Sequence, residues 1–257
     1  MDRVEDSSEG DAAEVFTDAD AAALYDLVNP WDPEQWPGDG FYDALVRAAG
    51  SVLDVGCGTG AMLRLAREHG HRGRLVGLDP DPAALARARR RADVEWVEGT
   101  AASARWDAAF DLATMTGHAF QCLVTDAELG ASLAAVHRAL RSGGRFAFET
   151  RHPQARAWEG WNPSEASDVV DAAGRARRLW HQVESVVGEV VTFTGTTAAA
   201  DGTVLRVDRT RLRFPAEAVL DAFLADAGFG IEARYGDWGG GPVTGTSREI
   251  ITIARRR

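Results

Sequence analysis

Residues 51–60 read SVLDVGCGTG, an apolar run that ends in a glycine-rich turn. Ser51 to Val55 has the length of a buried strand. The following AMLRLAREHG (61–70) sets Met62, Leu63, Leu65 and Ala66 at helical spacing before a stop at Gly70. The period therefore changes from strand to helix across the glycines. Such a turn lets backbone N–H groups approach a ligand closely, because glycine tolerates the required dihedral angles and adds no side chain. The glycines alone leave the ligand open, since GCGTGA (56–61) also satisfies the dinucleotide pattern G-x-G-x-x-[GA].

Downstream the alternation continues. RLVGLD (74–79) reads as a second strand, PAALARARRRA (82–92) as a helix opened by Asp81 and Pro82, and VEWVE (94–98) as a third strand. FDLATM (110–115) is a fourth strand, 126–140 a helix, Gly143-Gly144 a turn and RFAFET (145–150) a fifth strand. Strands separated by helices predict a parallel sheet with right-handed crossovers. Upstream, residues 1–17 read as a flexible tail, 20–28 as a helix, NPWDPEQWPGD (29–39) as a connector and 41–49 as a second helix. Beyond strand five, 151–177 reads as a long irregular loop, a lid candidate. Three β-rich stretches follow at 179–186, 189–197 and 203–214, with turns at Gly188 and Asp201-Gly202, predicting an antiparallel meander. A helix over 215–227, closed by Gly228, and strands at 231–235 and 248–254 complete the chain.

Composition narrows the function. The 257 residues are 45% hydrophobic, enough for one substantial core. Lys plus Arg number 28 against 39 Asp plus Glu, and the formal charge of −11 opposes broad attraction to phosphate backbones, so no nucleic-acid partner is expected. The cluster Arg87, Arg89, Arg90 and Arg91 reads as a solvated helix face. Two cysteines, Cys57 and Cys122, fit a reducing compartment, and MDRVEDSSEGDAAE (1–14) lacks the basic and apolar regions of a secretory signal. The expectation is a cytoplasmic protein without membrane association, monomeric or homodimeric. No HExxH and no Cys/His cluster at metal spacing occurs, so no metal site is expected.

Asp79, 23 residues after Gly56, ends the second strand, where a carboxylate can accept from both ribose hydroxyls of a nucleoside. Asp54, just before the glycines, suits a ligand with a cationic ammonium group and would oppose a pyrophosphate. The cofactor should carry an amino acid, not a diphosphate.

VLDVGCGTG, VGLDP, the FDLA strand and the glycine pair before strand five together resemble class I S-adenosylmethionine-dependent methyltransferases over 51–150, with the C-terminal strands matching more loosely. The resemblance implies an α/β fold: a Rossmann-like seven-stranded methyltransferase sheet with an N-terminal helical cap and an inserted antiparallel β meander. Its division would be a tail (1–17), helical cap (18–50), cofactor-binding core (51–150), lid loop and β insertion (151–214), and a C-terminal helix with the last two strands (215–257). S-adenosyl-L-methionine is the implied cofactor. Asp54, Gly56, Gly58 and Gly60 would meet its methionine end and Asp79 its ribose, with Cys57 and Pro80 among the cofactor-binding residues. The family's adenine-contacting acid follows a Gly at the end of strand three; here Gly99 is followed by Thr100, so the backbone of Thr100 or Ala101 is expected to substitute. Met115, Thr116 and Gly117 would line the cofactor after strand four, and Tyr25, in a YD segment like that of related small-molecule enzymes, would cap it. The absence of NPPY or DPPY at this edge argues against amide and exocyclic base-amine methylation as those families perform it.

Methyl transfer is an in-line displacement that requires alignment and exclusion of water. If a base is used, His118 or His152 is the candidate, both at the carboxyl edge of the sheet. Trp31, Gln121, Glu149, Arg151, Trp158, Trp161 and Trp238 are candidate contacts for a small-molecule acceptor, possible chemistry being an O or N nucleophile of a secondary metabolite. A nicotinamide-dependent oxidoreductase and a non-catalytic S-adenosylmethionine-binding regulator are the alternative readings.

Overall fold

Strand, turn and helix form where the pattern places them. The computed structural model describes residues 15–257, so most of the tail expected over 1–17 lies outside the described residues. All five residues of β1 (Ser51–Val55) are buried, as a parallel strand covered on both faces requires. Helix α3 (Ala61–Glu68) follows, then β2 (Arg74–Asp79), α4 (Pro82–Ala88), β3 (Glu95–Glu98) and β4 (Phe110–Met115). Asp81 caps α4, accepting from the N–H groups of Ala83 and Ala84, with Pro82 in the first turn. Helix α5 (Asp126–Ala139) opens on a Thr125–Glu128 capping box and leads into β5 (Leu140–Arg151).

After an insertion the chain returns through α6 (Glu217–Asp226), β10 (Phe229–Tyr235) and β11 (Glu249–Arg256). The strands form one seven-stranded sheet in the order β10-β11-β5-β4-β1-β2-β3, and β11 runs antiparallel to both its neighbours. The order reverses at β1, whose neighbours are β2 and β4, and the carboxyl ends of these strands open the crevice where ligands of such sheets bind. One apolar layer, with Phe120, Phe146 and Phe148 at its centre, packs α5 and α6 on one face; Phe120 and Phe148 stack with centroids 4.1 Å apart. The other layer joins α3 and α2 (Pro37–Ala48) to the opposite face through Val46, Leu63 and Leu75.

The segment after β5 departs from the sequence reading. Residues 151–177 are not one irregular loop: they contain three short 3₁₀ turns and a further strand, β6 (Ser167–Val170). β6 pairs with β7 (Ala176–Val187), and β8 (Val190–Ala199) and β9 (Val204–Arg213) complete a four-stranded antiparallel sheet where three strands were expected. β6 escapes the pattern because SDVV is short and mostly exposed, with no alternation to read. The inner face of this sheet (Val191, Phe193, Leu212, Phe214) packs on Trp158 and Trp161 of the turn segment. Helix α1 (Asp18–Val28), opened by a Thr17–Asp20 capping box, is tied to it by Arg206–Asp18 (2.5 Å) and Arg175–Asp20 (3.8 Å). Among the described residues no helix is long and apolar enough to cross a membrane.

Candidate cofactor and acceptor cleft

The turn after β1 is held from the side of β2. The N–H groups of Gly56 and Cys57 both donate to the Leu78 carbonyl, at 2.7 and 3.2 Å. The Asp79 carboxylate accepts from the Gly58 N–H (2.7 Å) and, through its other oxygen, from the Asp81 N–H (2.8 Å), so one side chain fastens the turn to the start of α4. Gly58 has φ +53°, and a Cβ there would meet no atom within 4 Å: the backbone is bare toward the crevice. Gly60, at φ +78°, is closed instead, since a Cβ would stand 2.2 Å from the Trp96 ring. That ring is fixed by its own N–H, which donates to the Arg91 carbonyl at 2.8 Å.

Asp54 lies under the turn, 1% exposed, and accepts from the Thr114 hydroxyl at 2.9 Å. Burial pushes its carboxyl up to about 7, against the lowering effect of that hydrogen bond, and Asp79 adds to the rise. Asp79 is raised by burial as well. Two desolvated acids whose charged forms are disfavoured make a place where a cation is stabilised.

Helix α1 roofs the turn. Asp26 accepts from the Thr59 hydroxyl with one oxygen and from Arg87 Nε (2.8 Å) with the other, joining α1 to the turn and to α4. The neighbouring Tyr25 aims its hydroxyl over Gly117, 3.8 Å from where a Cβ would stand, and its phenol is raised by burial and by Asp79 and Asp26. Tyr25, Asn29, Trp31, Asp54, Gly56, Gly58, Thr116, Gly117, His118 and Arg151 line a cleft of about 460 Å³, together with Val28, Pro30, Trp36, Asp39, Cys57, Thr59, Ala61 and Met62.

His118 stands on the far wall at φ +63°. Its N–H donates to Glu149 Oε1 at 2.7 Å, and the Tyr42 hydroxyl donates to the other oxygen of the same carboxylate. Glu149 is 2% exposed and raised by burial, opposed by His118 and by the Tyr42 hydrogen bond. The His118 ring places Nε2 3.0 Å from Glu249 Oε2 on β11.

Residues 52–144 match the methyltransferase domain family model. The cypemycin N-terminal methyltransferase of a Streptomyces species is 29% identical over 221 residues, 80% of this chain and 83% of that protein. The S-adenosylmethionine-bound structure of CalS10, an amino pentose methyltransferase from Micromonospora echinaspora, covers 96% of this chain and all of its own at 25% identity and a TM-score of 0.67. KedS8 from a Streptoalloteichus species shares the fold, with 24% identity, a TM-score of 0.68 and coverage of 100% of this chain and 99% of its own. Residues 52–144 are a methyltransferase domain, and the chain as a whole is similar to S-adenosylmethionine-dependent methyltransferases.

The cleft of this methyltransferase fits that cofactor. Gly58 is bare on the crevice side, Asp54 lies in the cleft lining with Asp79 beside it, and each Asp79 oxygen, with one hydrogen bond, keeps acceptor capacity for a hydroxyl. The match decides against the nicotinamide reading, in which Asp54 would have faced a diphosphate.

The expected site residues divide into three groups. Tyr25, Trp31, Asp54, Gly56, Cys57, Gly58, Thr116, Gly117, His118 and Arg151 come together at the cleft. Asp79, Pro80, Thr100 and Ala101 stand beside it at the ends of β2 and β3, while Met115 and Gly60 are packed beneath. The remainder lie elsewhere. His152 is 6% exposed, accepts from the Gln154 N–H and caps its own turn, away from the cleft wall. Gln121 and Glu149 are buried behind the wall, Trp158 and Trp161 anchor the turn segment on Phe214, and Trp238 packs on Phe41 and Tyr42. The sequence reading missed Glu249, Tyr42 and the Asp26–Arg87 pair, which meet their partners 131, 107 and 61 residues away. The YD segment carried a signal for Asp26; Glu249 carried none.

Proposed function

We propose that this methyltransferase moves the methyl group of S-adenosylmethionine to a nitrogen of a small molecule, with His118 as proton acceptor. The observation that carries the proposal is the His118–Glu249 contact of 3.0 Å on the cleft wall. A carboxylate can only accept, so Glu249 selects the tautomer with the proton on Nε2 and leaves Nδ1 with its lone pair. Glu149 fixes the backbone that presents the ring, through the His118 N–H. Bound over the turn, S-adenosylmethionine supplies an electrophilic methyl on a sulfonium centre. Asp54, Gly56 and Gly58 hold the cationic amino-acid end, Asp79 the ribose, and Thr100 or Ala101 the adenine side. Tyr25, Thr116 and Gly117 enclose the reacting end, and α1 with Trp31 excludes water.

The nitrogen acceptor is supported by the names of three similar proteins, an N-terminal methyltransferase, an amino pentose methyltransferase and the sugar N-methyltransferase KedS8. The negative character of the cleft adds to it, since acids gather a cationic amine that then loses its proton to the histidine. The test is the rate of label transfer to a metabolite extract. His118→Gln should lower kcat at least tenfold, leaving cofactor affinity within twofold. An unchanged kcat would leave alignment alone as the catalytic device.

A further inference from the structure

Arg151 is the one Lys or Arg among the residues lining the cleft. The half-buried arginines Arg87, Arg213 and Arg234 each rest on a carboxylate, at 2.7, 2.7 and 2.6 Å. Arg151 has no such partner among the described residues. Its strand neighbour across the β5–β11 ladder is Glu249, and that carboxylate is turned to His118 instead. The guanidinium is nonetheless held in place. Nη1 donates to Gln121 Oε1 at 3.2 Å, and its carbon lies 5.5 Å from the centroid of the Trp161 ring. Gln121 is fully buried and locked by its own amide, which donates to the Arg213 carbonyl at 2.8 Å. One donor of five is thus engaged with an oxygen, one face is covered by an indole, and burial lowers the Arg151 pKa against the opposing charges of Glu249 and Glu149, neither of which bonds the guanidinium.

From this arrangement we propose that Arg151 binds a carboxylate of the methyl acceptor, so that the enzyme selects small amines that also carry a carboxylate. The inference rests on the methyl-transfer reading of the cleft. A planar fork offers two parallel N–H donors to a carboxylate, a geometry that a single ammonium cannot reproduce. A second possible source of a carboxylate is the cofactor's methionine end. The sheet order favours the acceptor: β4 lies between β5, which carries Arg151, and β1, which carries Asp54, and one side of the guanidinium lies over Trp161 of the segment that packs on the small antiparallel sheet.

The experiment titrates the S-adenosylhomocysteine-loaded protein with propionate, propionamide and inorganic phosphate by saturation-transfer NMR, and measures S-adenosylhomocysteine affinity by calorimetry. Propionate should bind at least tenfold tighter than propionamide and tighter than phosphate. Arg151→Gln should bring propionate down to the propionamide level with cofactor affinity within threefold, and Arg151→Lys should keep part of the preference. Equal binding of propionate and propionamide, tighter binding of phosphate, or propionate binding unchanged in Arg151→Gln overturns the proposal. A tenfold loss of S-adenosylhomocysteine affinity in Arg151→Gln overturns it too, by assigning the guanidinium to the cofactor. Because none of these readouts needs turnover, a failure of methyl transfer itself would show separately, as an absence of label in any extract product.

Discussion

Asp54 carries the heaviest load of any single residue. Its carboxyl, buried and raised to about 7, binds a proton in the folded protein that it releases in the unfolded chain at the same pH. The folded state therefore holds more protons between about pH 4 and pH 7, and the Asp54 contribution to stability falls as pH rises through that window. Asp54→Asn should accordingly raise the melting temperature of the cofactor-free protein at pH 8, by roughly 2–4 °C for each kcal/mol gained, while weakening S-adenosylhomocysteine at least tenfold. A lower melting temperature with intact affinity would show that Asp54 serves packing. The same ionisation ties binding to pH. Cofactor binding favours charged Asp54, so calorimetric affinity should fall with acidification below pH 7, approaching tenfold per unit below pH 6; a flat profile would contradict the assignment. Gly60 tests the turn separately. A Cβ at φ +78° and 2.2 Å from a hydrogen-bonded indole should cost about 2–4 kcal/mol in Gly60→Ala, read as a drop in the urea midpoint.

Among the elements, α1 acts through Asp26, which joins it to both Thr59 and Arg87. Asp26→Ala should weaken the cofactor about five- to tenfold, because two charge-assisted hydrogen bonds that order the roof are lost, with little change in melting temperature. Equal affinity by calorimetry would show that the roof closes without this link. Legibility in the sequence follows the range of each interaction. Asp54, the glycines and Asp79 were readable because strand, turn and helix are consecutive and each signal sits within a few residues of the next. Asp26 was readable as part of a segment, though not as the partner of Arg87. Glu249 and Tyr42 were not readable: β11 lies beside β5 only once the sheet is built, and no local pattern marks a Glu at the start of an edge-proximal strand as the partner of a His after β4. His152 is the reciprocal case. It lies one residue past β5, at the correct edge of the sheet, yet its ring turns back to cap Pro153–Ala155.

At the scale of the whole molecule, the seven-stranded sheet supplies the switch point, and the four-stranded sheet packs on the segment after β5 and is tied to α1. The first was legible through the alternation of periods. The second was legible only as β-rich, since the pairing of β6 with β7 and the anchoring of Trp158 and Trp161 beneath β8 and β9 depend on tertiary contacts. The two sheets meet at Gln121, which donates to the Arg213 carbonyl of β9 and accepts from Arg151 of β5. Gln121→Ala should therefore weaken propionate binding several-fold through the loosened guanidinium, in the same titration as Arg151→Gln, and leave the cofactor unaffected. The central claim is that the cleft above residues 56–60 transfers a methyl group from S-adenosylmethionine to a small acceptor. Incubation of the protein with methyl-labelled S-adenosylmethionine and a metabolite extract, followed by mass spectrometry, tests it directly. A low-mass product carrying one labelled methyl on nitrogen, absent with Asp54→Ala, is the predicted result; label confined to the cofactor, or recovered only in macromolecules, would contradict it.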